Sequence, residues 1–167
     1  MRFTAISAAV ALMVLTVSSA LVAQRPDDQI DPRSMAMLQE GRTLQAAGNL
    51  DGATDVLESA LVVDPRNRQA YVVLADIARA RGLPGKAIRL YREALVLEPN
   101  DLVALRGQGE AMVAKGAVEK AKENLAKIRA ACAAKCTEAT ALAATIAKGP
   151  PVTATAQTTT PTPTPQP

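Results

Sequence analysis

The sequence predicts an all-α fold: an α-solenoid of three helix–turn–helix repeats closed by a C-terminal capping helix. Small residues recur every 34 positions, with Gly41, Ala75 and Gly109 on one rung, Gly48, Gly82 and Gly116 on a second, and Ala53, Ala87 and Ala121 on a third. Pro65 and Pro99 keep the same interval. The chain is 49% apolar but only 2% aromatic, without Trp, and its apolar content is mostly Ala, Leu and Val. Alanine is the best helix former and fills little volume, so this composition favours closely packed helices over a sheet. A fixed period of this length marks supersecondary units that bury their apolar faces only against one another.

The element boundaries follow from caps and breakers. Asp31-Pro32 opens the first helix as N-cap and first-turn proline, and Gly48 closes it. Asp51 is expected to cap the second helix, which runs to the Val63-Asp64-Pro65 stop. Asn67 caps the third, which ends at Gly82. The fourth starts near Pro84 and stops before Pro99. The fifth runs from about Asp101 to Gly116, the sixth from about Val118 to Ala131, and the seventh from Thr137 to Gly149-Pro150. Connections within a pair span only a few residues, so paired helices must run antiparallel. Helices this short are marginal alone, and stacking must stabilise them.

Outside the repeats the chain changes character. Residues 1–23 read as a signal peptide: Arg2 gives a short positive start, Phe3 to Val17 is largely apolar, and small residues follow. Cleavage is expected after Ala20, with Ala23 as the alternative. An uncleaved anchor is the rival reading, because Phe3 to Ala23 is long enough to span a bilayer. Residues 24–33 read as a linker. Residues 149–167 contain neither charge nor, beyond Val152, a core-forming side chain, and are expected to form a disordered Thr/Pro-rich tail. An exported chain implies a periplasmic or secreted location, and an oxidising environment for Cys132 and Cys136.

The repeats resemble the tetratricopeptide repeat. The middle unit, 68–101, matches that pattern at Tyr71, Leu74, Ala75, Gly82, Ala87, Tyr91, Ala94 and Pro99. The first, 34–67, matches at Met37, Gly41, Leu44, Gly48, Ala53, Leu57, Ala60 and Pro65. The third, 102–135, keeps Leu105, Gly109, Met112, Gly116, Ala121 and Leu125, then departs, with Ile128 where Ala is usual and no closing proline. Glu40 and Gln108 stand where Leu is usual. The helix at 137–148 reads as the cap that such arrays carry, with Leu142 and Ile146 over the last apolar face.

The resemblance implies a binding module whose concave face is lined by the first helix of each repeat. That places Leu38, Arg42 and Gln45, then Val72, Asp76 and Arg79, then Arg106, Glu110 and Val113 on the candidate binding face. Apolar spots beside charges suit a peptide or protein segment, and solvated helix faces are the plainer reading of the same residues. The Lys-and-Asn clamp with which some members hold a C-terminal carboxylate is absent, since the corresponding positions hold Leu38, Gln39, Arg42, Val72, Val73 and Asp76.

Composition excludes much else. The chain has no His, the commonest general base, and no Gly-rich phosphate loop, the glycines at 41, 48, 82, 109 and 116 falling at repeat positions, so it is read as a non-enzymatic scaffold. The net charge of +3 comes from scattered Lys and Arg with no interleaved aromatics, which argues against nucleic acid as partner. A membrane enters only if the N-terminal segment is retained. No cofactor is expected. Cys132 and Cys136 flank a helix–helix turn and are expected to form a structural disulfide. The alternative is a redox dithiol or metal carrier, for which further ligands are missing and Lys135 alone would have to lower a thiol pKa.

Overall fold

The computed structural model describes residues 29–132 and 136–151, so the proposed signal peptide, most of the linker and all but the start of the tail lie outside the described residues. The chain divides into two units, 1–30 and 31–167, and the repeats form the second. Among the described residues there are seven helices and no strand: α1 (Pro32–Ala46), α2 (Leu50–Val63), α3 (Arg68–Ala80), α4 (Pro84–Leu97), α5 (Leu102–Ala114), α6 (Val118–Ala131) and α7 (Thr137–Lys148). The expected all-α solenoid is what the chain forms.

Each intra-repeat turn is built the same way. Gly48, Gly82 and Gly116 adopt positive φ of 78°, 69° and 81°, the left-handed conformation that closes a helix without a Cβ penalty. The next N–H reaches back to a carbonyl five residues earlier: Asn49 to Leu44, Leu83 to Ala78, Ala117 to Met112. That same residue is the N-cap of the following helix, so one helix ends where the next begins. Here the expected cap moves. Asn49, not Asp51, caps α2, its side-chain oxygen accepting the Gly52 N–H at 3.0 Å. The glycine turn is complete two residues before Asp51, which lies inside the first helical turn and pairs with Arg81.

Between repeats, Asp64 and Glu98 turn extended (φ −145° and −141°), as residues preceding proline must. Asn67 and Asp101, 34 apart, then cap α3 and α5. Each also locks onto the first position of its own repeat. Asn67 Nδ2 donates to Ser34 Oγ at 2.8 Å, and Ser34 Oγ donates to the Ala60 carbonyl. One repeat later, Asp101 forms an ion pair with Arg68 instead. Asp64 closes the first junction, accepting the backbone N–H of Asp31 at 2.9 Å. Arg66 beside it holds the Asp64 carboxyl below the usual carboxylate range, against the opposing effect of burial.

The core is three clusters in series. The first joins Leu38, Leu57 and Ala60 to Val73, Leu74 and Ile77; the second gathers small alanines around Tyr91; the third holds Leu105, Leu125, Ile128 and Leu142. A buried leucine contributes roughly 1.5–3 kcal/mol through area removed from water. The departures from the repeat pattern have local reasons. Gln108 is buried and bridges three helices, donating to the Ile88 carbonyl of α4 and accepting from Asn124 Nδ2 of α6 at 2.9 Å. Ile128 fills the third cluster where α7, rather than a fourth repeat, is the neighbour. Glu40 is exposed, whereas its counterpart Leu74 packs against the preceding repeat.

The cap helix behaves as expected: Leu142 is fully buried against Gly109, where an added Cβ would fall 2.7 Å from its methyl. Cys132 at the end of α6 and Cys136 at the start of α7 are disulfide-bonded, their Cα atoms 6.1 Å apart.

Candidate functional site

The first helices of the repeats, α1, α3 and α5, stack side by side, and α2, α4 and α6 flank them. Of the predicted polar residues, Asp76, Arg79, Arg106 and Glu110 come together, and Arg42 reaches α3 separately. Arg42 of α1 donates to Gln69 Oε1 of α3 at 2.5 Å. Arg79 of α3 pairs across the next junction with Glu110 of α5. Glu110 also receives Arg106, one helical turn earlier, at 3.1 Å, so two guanidinium groups grip its two oxygens. Asp76 lies 3.7 Å from Arg79 on α3. The i,i+3 and i,i+4 spacings that sequence alone supplies put each pair on one helix face. The central set holds two acids and two bases, so its charge is balanced internally. Asp76, Arg79 and Arg106 keep about a third of their side-chain surface in solvent, and Glu110 only 12%.

The network has a foundation that sequence reasoning assigned only to packing. Tyr91 of α4 is fully buried, yet its hydroxyl donates to Asp76 Oδ1 at 2.5 Å. Burial first, and the hydrogen bond to Asp76 second, push the Tyr91 phenol well above its ordinary range, so it remains a neutral donor. Its ring passes directly beneath Gly107, where a Cβ would lie 2.6 Å from Tyr91 Cε1 and closer still to Cζ and the hydroxyl. Gly107 does not fall at a repeat rung: its counterparts are Gln39 and Val73. That off-phase glycine is the signal that could have located Tyr91 beneath the face.

The apolar part of the predicted face is not on the surface. Leu38 is fully buried in the first cluster, Val113 is nearly so, and Val72 is 9% exposed in the second cluster. These side chains stabilise the array and are unavailable to a ligand. Exposed apolar surface on these helices belongs instead to Met35 (36%) and Val103 (41%), which share a repeat position with Gln69. Gln45 is half-buried. Among the described residues no group of three or more His, Cys, Asp or Glu is placed to hold a metal ion, and no helix is long and apolar enough to cross a membrane.

Comparison with known proteins agrees with this architecture. Residues 38–101 match the tetratricopeptide repeat family model. No curated protein matches the sequence. The first TPR of Spaghetti (RPAP3), solved with the HSP90 peptide SRMEEVD, superposes with a TM-score of 0.65 at 20% identity, covering 72% of this chain and 96% of that one. The type III secretion chaperone SycD of Yersinia enterocolitica, in complex with a peptide of the translocator YopD, gives 0.61 at 18% identity over 72% and 92% of the two chains. The P58(IPK) TPR domain gives 0.62 at 23% identity over 69% of this chain, which matches 32% of that longer one. Residues 38–101 are thus similar in sequence to the tetratricopeptide repeat, and the helices of the described chain share the fold of these tetratricopeptide-repeat structures.

Proposed function

We propose that this chain is a non-enzymatic interaction scaffold, exported to a bacterial periplasm or cell envelope, whose α1/α3/α5 face takes a peptide or protein segment. The observation that carries the reading is the polar set Arg42, Asp76, Arg79, Arg106 and Glu110, paired across the junctions between α1, α3 and α5, with Asp76 held from beneath by the Tyr91 hydroxyl. Fixed polar groups on stacked helices offer directional contacts at low ordering entropy. Peptides bound to the RPAP3 and SycD structures support the choice of ligand class. Because the central cations already hold carboxylates of their own chain, the face suits an internal segment that reads polar edges better than a free C-terminal carboxylate.

The test is site-specific photocrosslinking in the native host. A crosslinker at Arg42 or Gln45 is expected to trap a discrete partner that one at Glu58, on the exposed side of α2, does not. Adducts from Glu58 alone would refute the site. N-terminal sequencing checks export: the chain is expected to begin after Ala20 or Ala23, and an intact N-terminus on cytosolic protein would overturn the location.

A further inference from the structure

The flanking helices α2, α4 and α6 also follow the 34-residue period, and their charges tell the two junctions apart. Between α2 and α4, Glu58 and Lys86 face one another as an ion pair at 3.8 Å. The residues 34 positions on are Arg92 and Lys120. Where the first seam has opposite charges, the second has two cations on facing helices. Like charges in such register repel, and they attract an external anion. Among the described residues, neither Arg92 nor Lys120 nor the neighbouring Lys127 has an ion-pair partner, although other exposed charges on α6 do, such as Lys122 with Glu119.

The second seam is also open. A cleft of about 340 Å³ lies between α4 and α6, with Arg92, Lys120 and Lys127 at its sides, Glu123 as the single acid, and Leu95, Val96 and Met112 supplying apolar surface. Val96 is 71% exposed. At Lys127 the cleft adjoins a second of about 520 Å³ that runs past Leu102 and Ala131.

We infer that the α4/α6 cleft is a second docking site, separate from the α1/α3/α5 face, for an acidic amphipathic segment of a protein partner. A carboxylate of that segment takes between Arg92 and Lys120 the part that Glu58 plays beside Lys86. Its apolar side chains cover Val96 and Met112. The site needs no change in the fold and leaves the α1/α3/α5 face unoccupied.

The probe is a fluorescein-labelled ten-residue peptide of alternating leucine and glutamate pairs, titrated with the mature chain by fluorescence anisotropy at low salt. Saturable binding is expected, weakened by added sodium chloride, with no binding of the leucine–lysine counterpart. Arg92→Glu restores the opposite-charge pattern of the first seam and turns an attraction for the peptide's carboxylates into a repulsion, so it is expected to weaken the acidic peptide at least roughly tenfold. The same substitution is expected to raise the melting temperature, which excludes misfolding as the cause. Equal affinity in Arg92→Glu overturns the proposal. So does loss of binding in Arg42→Glu with retention in Arg92→Glu, which would put the peptide on the α1/α3/α5 face. Binding to phosphatidylglycerol vesicles without binding to the peptide overturns it in favour of a membrane surface.

Discussion

Replacing Gly107 by alanine should destabilise this protein, although the same change in an ordinary helix does the opposite. Gly107 lies within α5, and in a helix interior alanine is favoured over glycine by about 1 kcal/mol. Against that gain stands the Tyr91 ring. The new methyl would lie 2.6 Å from Cε1 and nearer to Cζ and the hydroxyl, all in a fully buried side chain that cannot swing into solvent. Overpacking of this kind costs about 1–3 kcal/mol. If the ring tilts to escape, the hydroxyl leaves Asp76, which removes a further contribution of about 1 kcal/mol. The net expectation is a destabilisation of about 1–3 kcal/mol, read as a fall in melting temperature of roughly 3–15 °C for a domain of this size. Circular dichroism melts of Gly107→Ala and Gly85→Ala make the comparison. A Cβ at Gly85 meets only Lys115 Nζ, at 4.0 Å, so that variant should hold or gain stability. Adding Tyr91→Leu to Gly107→Ala should recover about 1 kcal/mol relative to the sum of the single changes, because the clash is shared. A Gly107→Ala protein as stable as Gly85→Ala would show that Tyr91 does not support the polar face from below.

Two further outcomes follow from the same geometry. Burial raises both tyrosines, Tyr91 further than Tyr71 and with help from Asp76, so the Tyr91 phenolate should not appear in the folded protein at pH 10, and Tyr71 should ionise above a free tyrosine. A raised folded-state value means that the Tyr91 contribution is complete below the unfolded value and lost as pH climbs through the folded one. Urea unfolding should therefore weaken above about pH 10 by up to roughly 1.4 kcal/mol per pH unit from Tyr91, and Tyr91→Phe should flatten that slope; an unchanged slope would refute the assignment. Reduction of Cys132–Cys136 removes a five-residue loop closure, about 2 kcal/mol at most on the chain-entropy account. Hydrogen exchange should then accelerate in α7 and leave α3 protected, and uniform acceleration across both helices would show that the disulfide holds more than the cap.

What the sequence shows most clearly is what repetition enforces. The glycines at 48, 82 and 116 and the prolines at 65 and 99 are dictated by backbone geometry alone, so their spacing marks helix ends without tertiary knowledge. Asp51 misled because Asn49 sits at the overlap of two helix ends and captures the first free N–H before Asp51 can. Leu38 and Val113 misled for another reason: a 3.6-residue period tells which side chains share a stripe but not how far a neighbouring helix leans over it. Arg79 and Glu110 form an ion pair, and that pairing depends on the α3–α5 approach, which no local pattern encodes. Tyr91 has the plainest identity in the repeat, a bulky packing residue, and only the unscheduled glycine at 107 hints that its hydroxyl goes elsewhere.

The locks Ser34–Asn67 and Arg68–Asp101 each join the first and last residue of one 34-residue unit. A gene duplication that copies a unit therefore copies both halves of its lock, and no orphaned partner is created whether the lock is neutral or ionic. The pair Glu58–Lys86 instead straddles a unit boundary. Copying the middle unit in tandem would set Arg92 against a second Lys86. These two locks are modular and portable, whereas the flanking seam ties each unit to its place in the order.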